Sequence, residues 1–260
     1  MIKKLLTLVP ILVLCFATNA YADEPYFKGK EVTDLEYLEK LANDEEHIDL
    51  SFSTNSKKIL SASSTASFTT YNQYGLSVQS AQEKQIPSVI QLLEINNHPN
   101  GTVTESFAIT SFATLIIHDD GEVEILSNDR SESQTDSTGS VRASSTIYID
   151  TITDTDNISY ARLTSANGEA TILQTGVFVD SQNITAQTTG SCRDCTGGFT
   201  TQSDSFNTTS FSWNVPSSTT SNWLRVANLA PVGDAIVGVG QVVNMSGRVD
   251  GQLNFVNNWY

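Results

Sequence analysis

After Thr102, hydrophobic and polar residues alternate along the chain or form short apolar runs between turn residues. A period of two is typical of β-strands with one buried face. The clearest case is 112–126, FATLIIHDDGEVEIL, in which two such strands flank Asp120-Gly121, a dipeptide suited to a tight hairpin turn. The same criteria predict strands at 145–151, 158–163, 170–179, 211–215, 224–229 and 235–243, with turns at 153–157 and 166–168.

The last predicted strand alternates on odd positions from Val243 to Phe255, and Asn257 and Asn258 then interrupt the pattern. Segment 127–139 has almost nothing apolar to bury, so we expect a loop there. Together these patterns predict an antiparallel β-rich domain at 102–260.

The N-terminal part of the chain shows a different period. Val32, Leu35, Leu38 and Leu41 recur at helical spacing within 31–46, which predicts one short amphipathic helix. A second short helix fits 87–95, PSVIQLLEI, because proline suits a first helical turn and an Asn-rich turn follows. The expected fold is mainly β: an antiparallel β-sandwich-like domain, preceded at 23–101 by a segment with one or two short helices.

The first 22 residues have the pattern of a secretory signal peptide. Lys3 and Lys4 precede an apolar run at 5–16, and Ala20-Tyr21-Ala22 offers a cleavage site before Asp23. The run is shorter than the ~20 residues that span a bilayer, and no later segment comes close. We therefore expect an exported protein of bacterial type, periplasmic, surface-attached or extracellular, without a membrane span.

Acidic residues dominate the charge. The chain has 29 Asp and Glu against 14 Lys and Arg, a net charge of −15, and removal of the leader with its two lysines changes −15 to −17. Such a surface repels phosphate backbones, so nucleic acid is not an expected partner. After Phe199 the acids become rare, and Ser, Thr, Asn, Gly and the three tryptophans are frequent.

Cys192 and Cys195 are the two cysteines left once the leader is removed. Export favours their oxidation to a disulfide. A redox C-x-x-C motif normally begins a helix, and no helix-forming run follows here. A zinc site needs two further ligands, and the histidines offer no paired spacing. The favoured interpretation is a small disulfide ring in a loop between strands.

The densest cluster of titratable residues lies around the predicted hairpin turn: His118, Asp119, Asp120, Glu122 and Glu124. A glycosidase needs two carboxylates that face each other across a cleft. A solvated hairpin explains the same residues, because its strand acids share one face and its turn acids lie at the tip. No G-x-S-x-G or S-x-x-K motif supports a serine enzyme.

A second acidic group, Asp150, Asp154, Asp156 and Asn157, offers the hard oxygen ligands that calcium prefers. It lacks the glycine and the distal glutamate of an EF-hand loop, and Asp and Asn also bond their own backbone in turns. A turn without metal is therefore the favoured interpretation. Calcium at these residues is the alternative, and no other cofactor is expected.

The aromatic residues Trp213, Trp223, Trp259 and Tyr260 are candidate binding residues in the charge-poor C-terminal region. Flat rings beside amide and hydroxyl groups suit sugars, although strand tryptophans commonly belong to the core. The leading hypothesis is a secreted or surface-associated non-catalytic protein that acts by binding or self-assembly, in adhesion or in an extracellular matrix. Its partner would be a glycan, a cell-surface protein or a second copy. The alternative is a secreted carboxylate-dependent hydrolase such as a glycosidase.

Overall fold

The computed structural model describes residues 27–43, 64–71, 77–126, 140–192, 195, 198–227 and 235–259. The predicted signal peptide, the loop predicted at 127–139 and the candidate binding residue Tyr260 lie outside these residues. Among the described residues, no helix is both long enough and apolar enough to cross a membrane.

The prediction of a mainly β fold is confirmed, and the strands form two antiparallel sheets. In chain order the elements are β1 (Phe27–Lys28), α1 (Leu35–Asn43), β2 (Thr65–Tyr71), β3 (Ser77–Gln85), β4 (Ser88–Asn97), β5 (Val103–Ile117), β6 (Val123–Ile125), β7 (Val141–Thr153), β8 (Ser159–Ile172), β9 (Val177–Ser191), β10 (Phe199–Thr208), β11 (Ser212–Val215), α2 (Ser217–Thr220), β12 (Ile236–Gly247) and β13 (Gly251–Trp259).

The first sheet has the strand order β1-β4-β5-β7-β8-β11, with β6 paired to β5. The second sheet has the order β10-β9-β12-β13-β2-β3. Strands from both sides of residue 101 pair in both sheets, β4 with β5 and β2 with β13. Residues 64–101 therefore belong to the same two sheets as the domain predicted at 102–260.

The hydrophobic core lies between the sheets because both contribute their inward faces to it. One cluster includes Ile147 and Leu163 of the first sheet with Ile184 and Val237 of the second. A second cluster joins Leu115 and Val141 of the first sheet to Phe68, Leu253 and Phe255 of the second. Burial of these side chains is the main driving force for the packing of the two sheets against each other.

The stretch 87–95 forms a strand, so the second helix suggested for it is wrong. β4 pairs with β5 from Ser88–Ser111 to Asn97–Val103. Both of its faces are covered: Val89 packs with Leu38 of α1 and Phe112, while Ile90 packs against the core between the sheets. A strand covered on both faces has a nearly continuous apolar run, which resembles a short helix in sequence.

The turn predicted at 166–168 is also wrong, because β8 runs through it without interruption. Gly168 lies opposite Trp213 of β11, and a Cβ atom at this position would lie 2.7 Å from Cε2 of the indole. The glycine is required by the ring above it and not by a turn. The actual turn follows at Gly176, with φ +84°, so the strand predicted at 170–179 is two strands.

The hairpin predicted at 112–126 is confirmed. Leu115 of β5 pairs with Ile125 of β6, and Gly121 has the left-handed φ of +85° that its turn requires. Strands β7, β11 and β12 likewise lie where the alternation predicted strands, whereas 224–227 forms only isolated bridges and 228–229 lie outside the described residues.

β1 is an edge strand of the first sheet, and residues 31–43 are held on the outer face of that sheet by side-chain contacts. The Tyr148 hydroxyl donates to Glu31 over 2.7 Å, and Arg142 pairs with Glu39 over 2.8 Å. Burial and the hydrogen bond to Glu31 raise the pKa of Tyr148 to about 12. The hydroxyl therefore remains protonated and able to donate this bond at all ordinary pH values.

Candidate functional site

A pocket of about 460 Å³ lies at one end of the two sheets. Its walls come from the turn after β7, the start of β8, the end of β9 and the segment 221–225. This volume is within the usual range for small-molecule sites, about 300–1,000 Å³.

The wall formed by residues 221–227, here called the crossing segment, bridges the two sheets. Val226 pairs with Ala161 of β8 through two 2.7 Å backbone hydrogen bonds, and the Ala227 amide donates to Ser191 of β9 over 2.7 Å. Val226 and Ala227 are almost fully buried. The pocket wall is therefore anchored to both sheets.

Trp223 and Leu224 give the crossing segment an apolar surface. Trp223 is half-buried and packs against the core, while Leu224 is 39% exposed. The side-chain amide of Gln202 in β10 makes two hydrogen bonds to the backbone of Leu224. It accepts from the Leu224 amide over 2.7 Å and donates to the Leu224 carbonyl over 3.1 Å. These paired bonds fix the backbone next to Trp223.

A row of polar side chains crosses the first sheet beside this apolar surface. Strand pairing aligns Ser106 of β5, Asp150 of β7 and Arg162 of β8. The antiparallel bridge between Ala161 and Val226 places Arg225 next to Arg162. Two arginines, Arg162 and Arg225, therefore lie side by side at the pocket.

One carboxylate oxygen lies between the two guanidinium groups. Oδ2 of Asp150 is 3.4 Å from Nη2 of Arg162 and 3.8 Å from Nη2 of Arg225. Its other oxygen accepts a 2.8 Å hydrogen bond from the Ser106 hydroxyl. Burial and the neighbouring charge of Arg162 lower the pKa of Arg225, and Asp150 opposes this effect.

A disulfide joins Cys192 and Cys195, in a loop between β9 and β10 as predicted. The Cys192 amide donates to the Gly198 carbonyl over 3.1 Å. Cys192 is 6% exposed, belongs to the core and lines the pocket. The ring therefore fixes the end of β9 at the pocket rim, which the C-x-x-C spacing alone did not indicate.

The candidate aromatic residues do not form one surface. Trp213 and Trp259 are 6% and 4% exposed and belong to the core, so the prediction that they bind a partner is corrected. Both rings point into the core from β11 and β13, so a ligand cannot reach them. Trp223 is the tryptophan that lines the pocket.

The proposed calcium ligands are engaged in other contacts. Asp150 pairs with the arginines, and Oδ1 of Asp154 accepts from the amides of Asp156 and Ile158 at 2.9 and 3.0 Å. Asn157 adopts a left-handed φ of +61° in the same turn. Across the described part of the chain, no three His, Cys, Asp or Glu side chains are grouped to hold a metal. Asp154 therefore acts as a turn-forming residue.

The acids of the β5–β6 hairpin lie on an exposed turn. Asp119 pairs with Arg248 over 2.9 Å, and His118 lies 3.7 Å from Glu124. Oδ1 of Asp120 accepts from the Glu122 amide within the turn. None of these residues lines the pocket described above. The hairpin is thus the solvated turn expected as the simpler interpretation.

The arginine pair was not among the residues predicted from sequence. One signal was available, because Arg225 follows Trp223 by two positions in a region nearly free of charge. Arg162 gave no such signal, since its position beside Arg225 depends on the pairing of β8 with the crossing segment.

No family model, curated protein or solved structure matches this chain.

Proposed function

We propose that this chain is an exported, non-catalytic β-sandwich protein that binds saccharides in the pocket beside Trp223. The observation that supports this most is the combination of a half-buried indole with the exposed polar residues Ser221 and Asn222 in one wall. Sugar rings offer an apolar face for stacking and hydroxyl groups for hydrogen bonds, so a wall of this kind suits them.

The rigidity of the wall favours binding. The crossing segment is anchored to β8 and β9, and Gln202 fixes the backbone of Leu224. A site whose side chains are already positioned loses less conformational entropy when a ligand binds. We assign stacking to Trp223 and hydroxyl recognition to Ser221 and Asn222.

Export is part of the proposal. It rests on the signal-peptide pattern of residues 1–22, and the disulfide between Cys192 and Cys195 fits an oxidising compartment. The saccharide would then be a glycan of a cell surface or an extracellular matrix. The hydrolase alternative receives no comparable support, because the hairpin acids lie outside the pocket and Asp154, which lines it, accepts two backbone amides in its own turn.

Trp223→Ala is expected to weaken saccharide binding about ten-fold or more, because the stacking surface is lost. The measurement is isothermal titration with a panel of neutral and acidic oligosaccharides. Phe211→Ala is the matched control, since Phe211 is an exposed aromatic residue whose carbonyl contacts β8 at Ala170, away from the pocket. The proposal is contradicted if no panel member binds, or if both variants retain the parent affinity while melting normally.

Self-association is a second candidate, favoured by the outermost strand of the second sheet. β10 pairs with β9 alone among the described strands, and it contains one charged residue, Asp204, and no proline or lysine. Natural edge strands usually contain proline, lysine or several charges that block pairing, because an unpaired edge can accept another strand. We propose that a second copy of the chain pairs with this edge. The chain is strongly acidic, but two copies of β10 would bring only one negative charge from each copy together.

Ser203→Lys in β10 is expected to shift the protein from dimer or larger assembly to monomer, because it places a charge at the middle of the edge. Light scattering after size exclusion, over a series of concentrations, measures this. Ser218→Lys in α2 introduces the same charge at another exposed position and should leave the mass unchanged. A parent protein that is monomeric at every concentration would rule self-association out.

A further inference from the structure

We infer that the pocket selects saccharides that bear a carboxylate, which the guanidinium groups of Arg162 and Arg225 hold. The inference rests on the proposed saccharide-binding function and names its ligand class: an acidic sugar of the uronic acid type. The argument starts from the arginine pair, which stacking and hydroxyl recognition do not explain.

The two guanidinium groups have more donors than the acceptors among the described residues can use. Their distances to Asp150, 3.4 and 3.8 Å, exceed the 2.7–2.9 Å typical of charge-assisted hydrogen bonds. Among the described residues, Nη1 of Arg162 makes two contacts, both long, at 3.4 and 3.5 Å to the carbonyls of Ser221 and Trp223. In the described part of the chain, Nε of each arginine is buried without a hydrogen-bond partner. A ligand does not reach these buried Nε atoms, but the side chains are 25% exposed for Arg162 and 30% exposed for Arg225, so their Nη groups can donate to a further partner.

The charges at the pocket favour a second anion near the arginines. Like charges on directly opposed residues of neighbouring strands repel, and Arg162 and Arg225 occupy such positions. Asp154 also lines the pocket, but its Oδ1 already accepts two backbone amides. Among the described residues, Asp150 is therefore the carboxylate that contacts both arginines, and a ligand carboxylate would supply a second one. The planar fork of arginine fits a carboxylate through paired donors.

The position of the arginines relative to Trp223 favours a sugar acid over a free small anion. Arg225 is two residues from Trp223 in the crossing segment, and both line the pocket. A ligand that stacks on the indole can therefore place a ring carboxylate near Arg225. The volume of about 460 Å³ exceeds what a lone carboxylate fills.

The net charge of the chain limits how acidic the ligand can be. A charge of −15 repels a densely charged polymer at long range. At physiological salt the Debye length is about 8 Å, so the adjacent arginines dominate the interaction for a single bound carboxylate. Long-range repulsion together with short-range attraction by the arginines favours sparsely charged acidic saccharides over nucleic acids and highly sulfated chains.

The test compares galacturonic acid with its methyl ester, galactose and acetate by isothermal titration. The ester retains the shape of the acid without its charge. We expect the acid to bind at least about ten-fold more tightly than the ester or galactose, because neither of these can form the charge-assisted ion pair with the arginines. Acetate, which lacks the ring, should bind more weakly than galacturonic acid.

Three variants test the assignment of the residues. Arg225→Gln should abolish the preference for the acid, and Arg225→Lys should restore only part of it because lysine has no planar fork. Asp150→Asn should instead tighten binding of the acid several-fold, since it removes the resident competitor for both arginines. This gain cannot arise from a folding defect. Arg248→Gln, which alters an exposed arginine paired with Asp119, should change nothing.

The outcomes separate this inference from the proposed function. Equal affinity for the acid, the ester and galactose, unchanged by Arg225→Gln, would overturn the selection of carboxylates and leave saccharide binding intact. Acetate binding as tight as that of galacturonic acid would overturn the sugar acid as ligand. Binding of neither acidic nor neutral sugars would overturn the proposed function itself.

Discussion

Replacement of Trp213 with alanine is expected to lower the free energy of unfolding by about 3–5 kcal/mol, the usual range for a buried aromatic residue. The indole is 6% exposed, belongs to the core between the sheets and lies over Gly168 of β8. Its removal leaves a cavity that the paired strands β8 and β11 can fill only in part. Chemical denaturation of parent and variant measures the difference.

Two further variants make this test specific. Trp213→Phe should recover more than half of the loss, because it retains an apolar ring and removes an indole Nε1 that has no hydrogen-bond partner in the described residues. Trp223→Ala, at a half-buried position, should cost clearly less than Trp213→Ala. Equal and small losses at both positions would show that Trp213 is not part of the core.

The second large effect is expected at Asn257, where alanine should reduce the free energy of unfolding by about 2–4 kcal/mol. Asn257 is fully buried on β13 of the second sheet. Its Nδ2 donates to the carbonyls of Ile109 and Ser145 in the first sheet, at 3.0 and 2.9 Å. Its Oδ1 accepts a longer bond, 3.4 Å, from the Ser64 hydroxyl. Alanine would remove the two bonds that join the sheets and leave a small cavity, while the Ser64 hydroxyl keeps its 2.9 Å bond to the Ser111 hydroxyl.

Asn254→Ala is the matched control, because Asn254 lies on the outward face of the same strand and should tolerate the change. Asn257→Asp gives a second readout. A carboxylate facing two carbonyl oxygens should have a raised pKa in the folded state, so this variant should be more stable at pH 4 than at pH 7. A loss at Asn257→Ala no larger than at Asn254→Ala would contradict the assigned role.

Asn257 also shows how far the alternation of hydrophobic residues could be followed. Gly251, Leu253, Phe255, Asn257 and Trp259 are all buried, so the inward phase of β13 continues to its end. The sequence pattern was interrupted at Asn257 only because a polar residue occupies an inward position. The single strand predicted from Val243 to Phe255 is instead the end of β12 and the start of β13, joined by residues 248–250. Odd-numbered residues are buried on both sides of this connection, so alternation did not reveal it. Nor could alternation predict that the other sheet supplies acceptors for a buried amide.

The elements that sequence patterns missed depend on tertiary contacts. β4 resembled a helix because α1 covers its outer face. β10 was not predicted because every position in it is exposed or only partly buried, which leaves few apolar residues to form a pattern. Gly168 indicated a turn because the indole that lies over it is far away in sequence. Local propensity cannot contain this information.

The pocket was predictable only in part. Trp223 was named from composition, because aromatic residues in a charge-poor region are recognisable in a sequence. The pairing of Arg162 with Arg225 was not, since it follows from one backbone bridge between Ala161 and Val226. The chain is acidic overall, so its composition favours carboxylates as site residues, whereas the local pair of cations combines Arg162 of β8 with Arg225 of the crossing segment.

The crossing segment both lines the pocket and links the sheets, and these two tasks fall on different residues. Ser221 and Asn222 are exposed and precede the bridges, whereas Val226 and Ala227 are buried and form them. We therefore expect substitutions in the first half of the segment to cost less stability than substitutions in the second half, whose backbone bridges join β8 and β9. Under the proposed function, ligand preference would then diversify through a few residues at the start of one short segment, while its end remains constant.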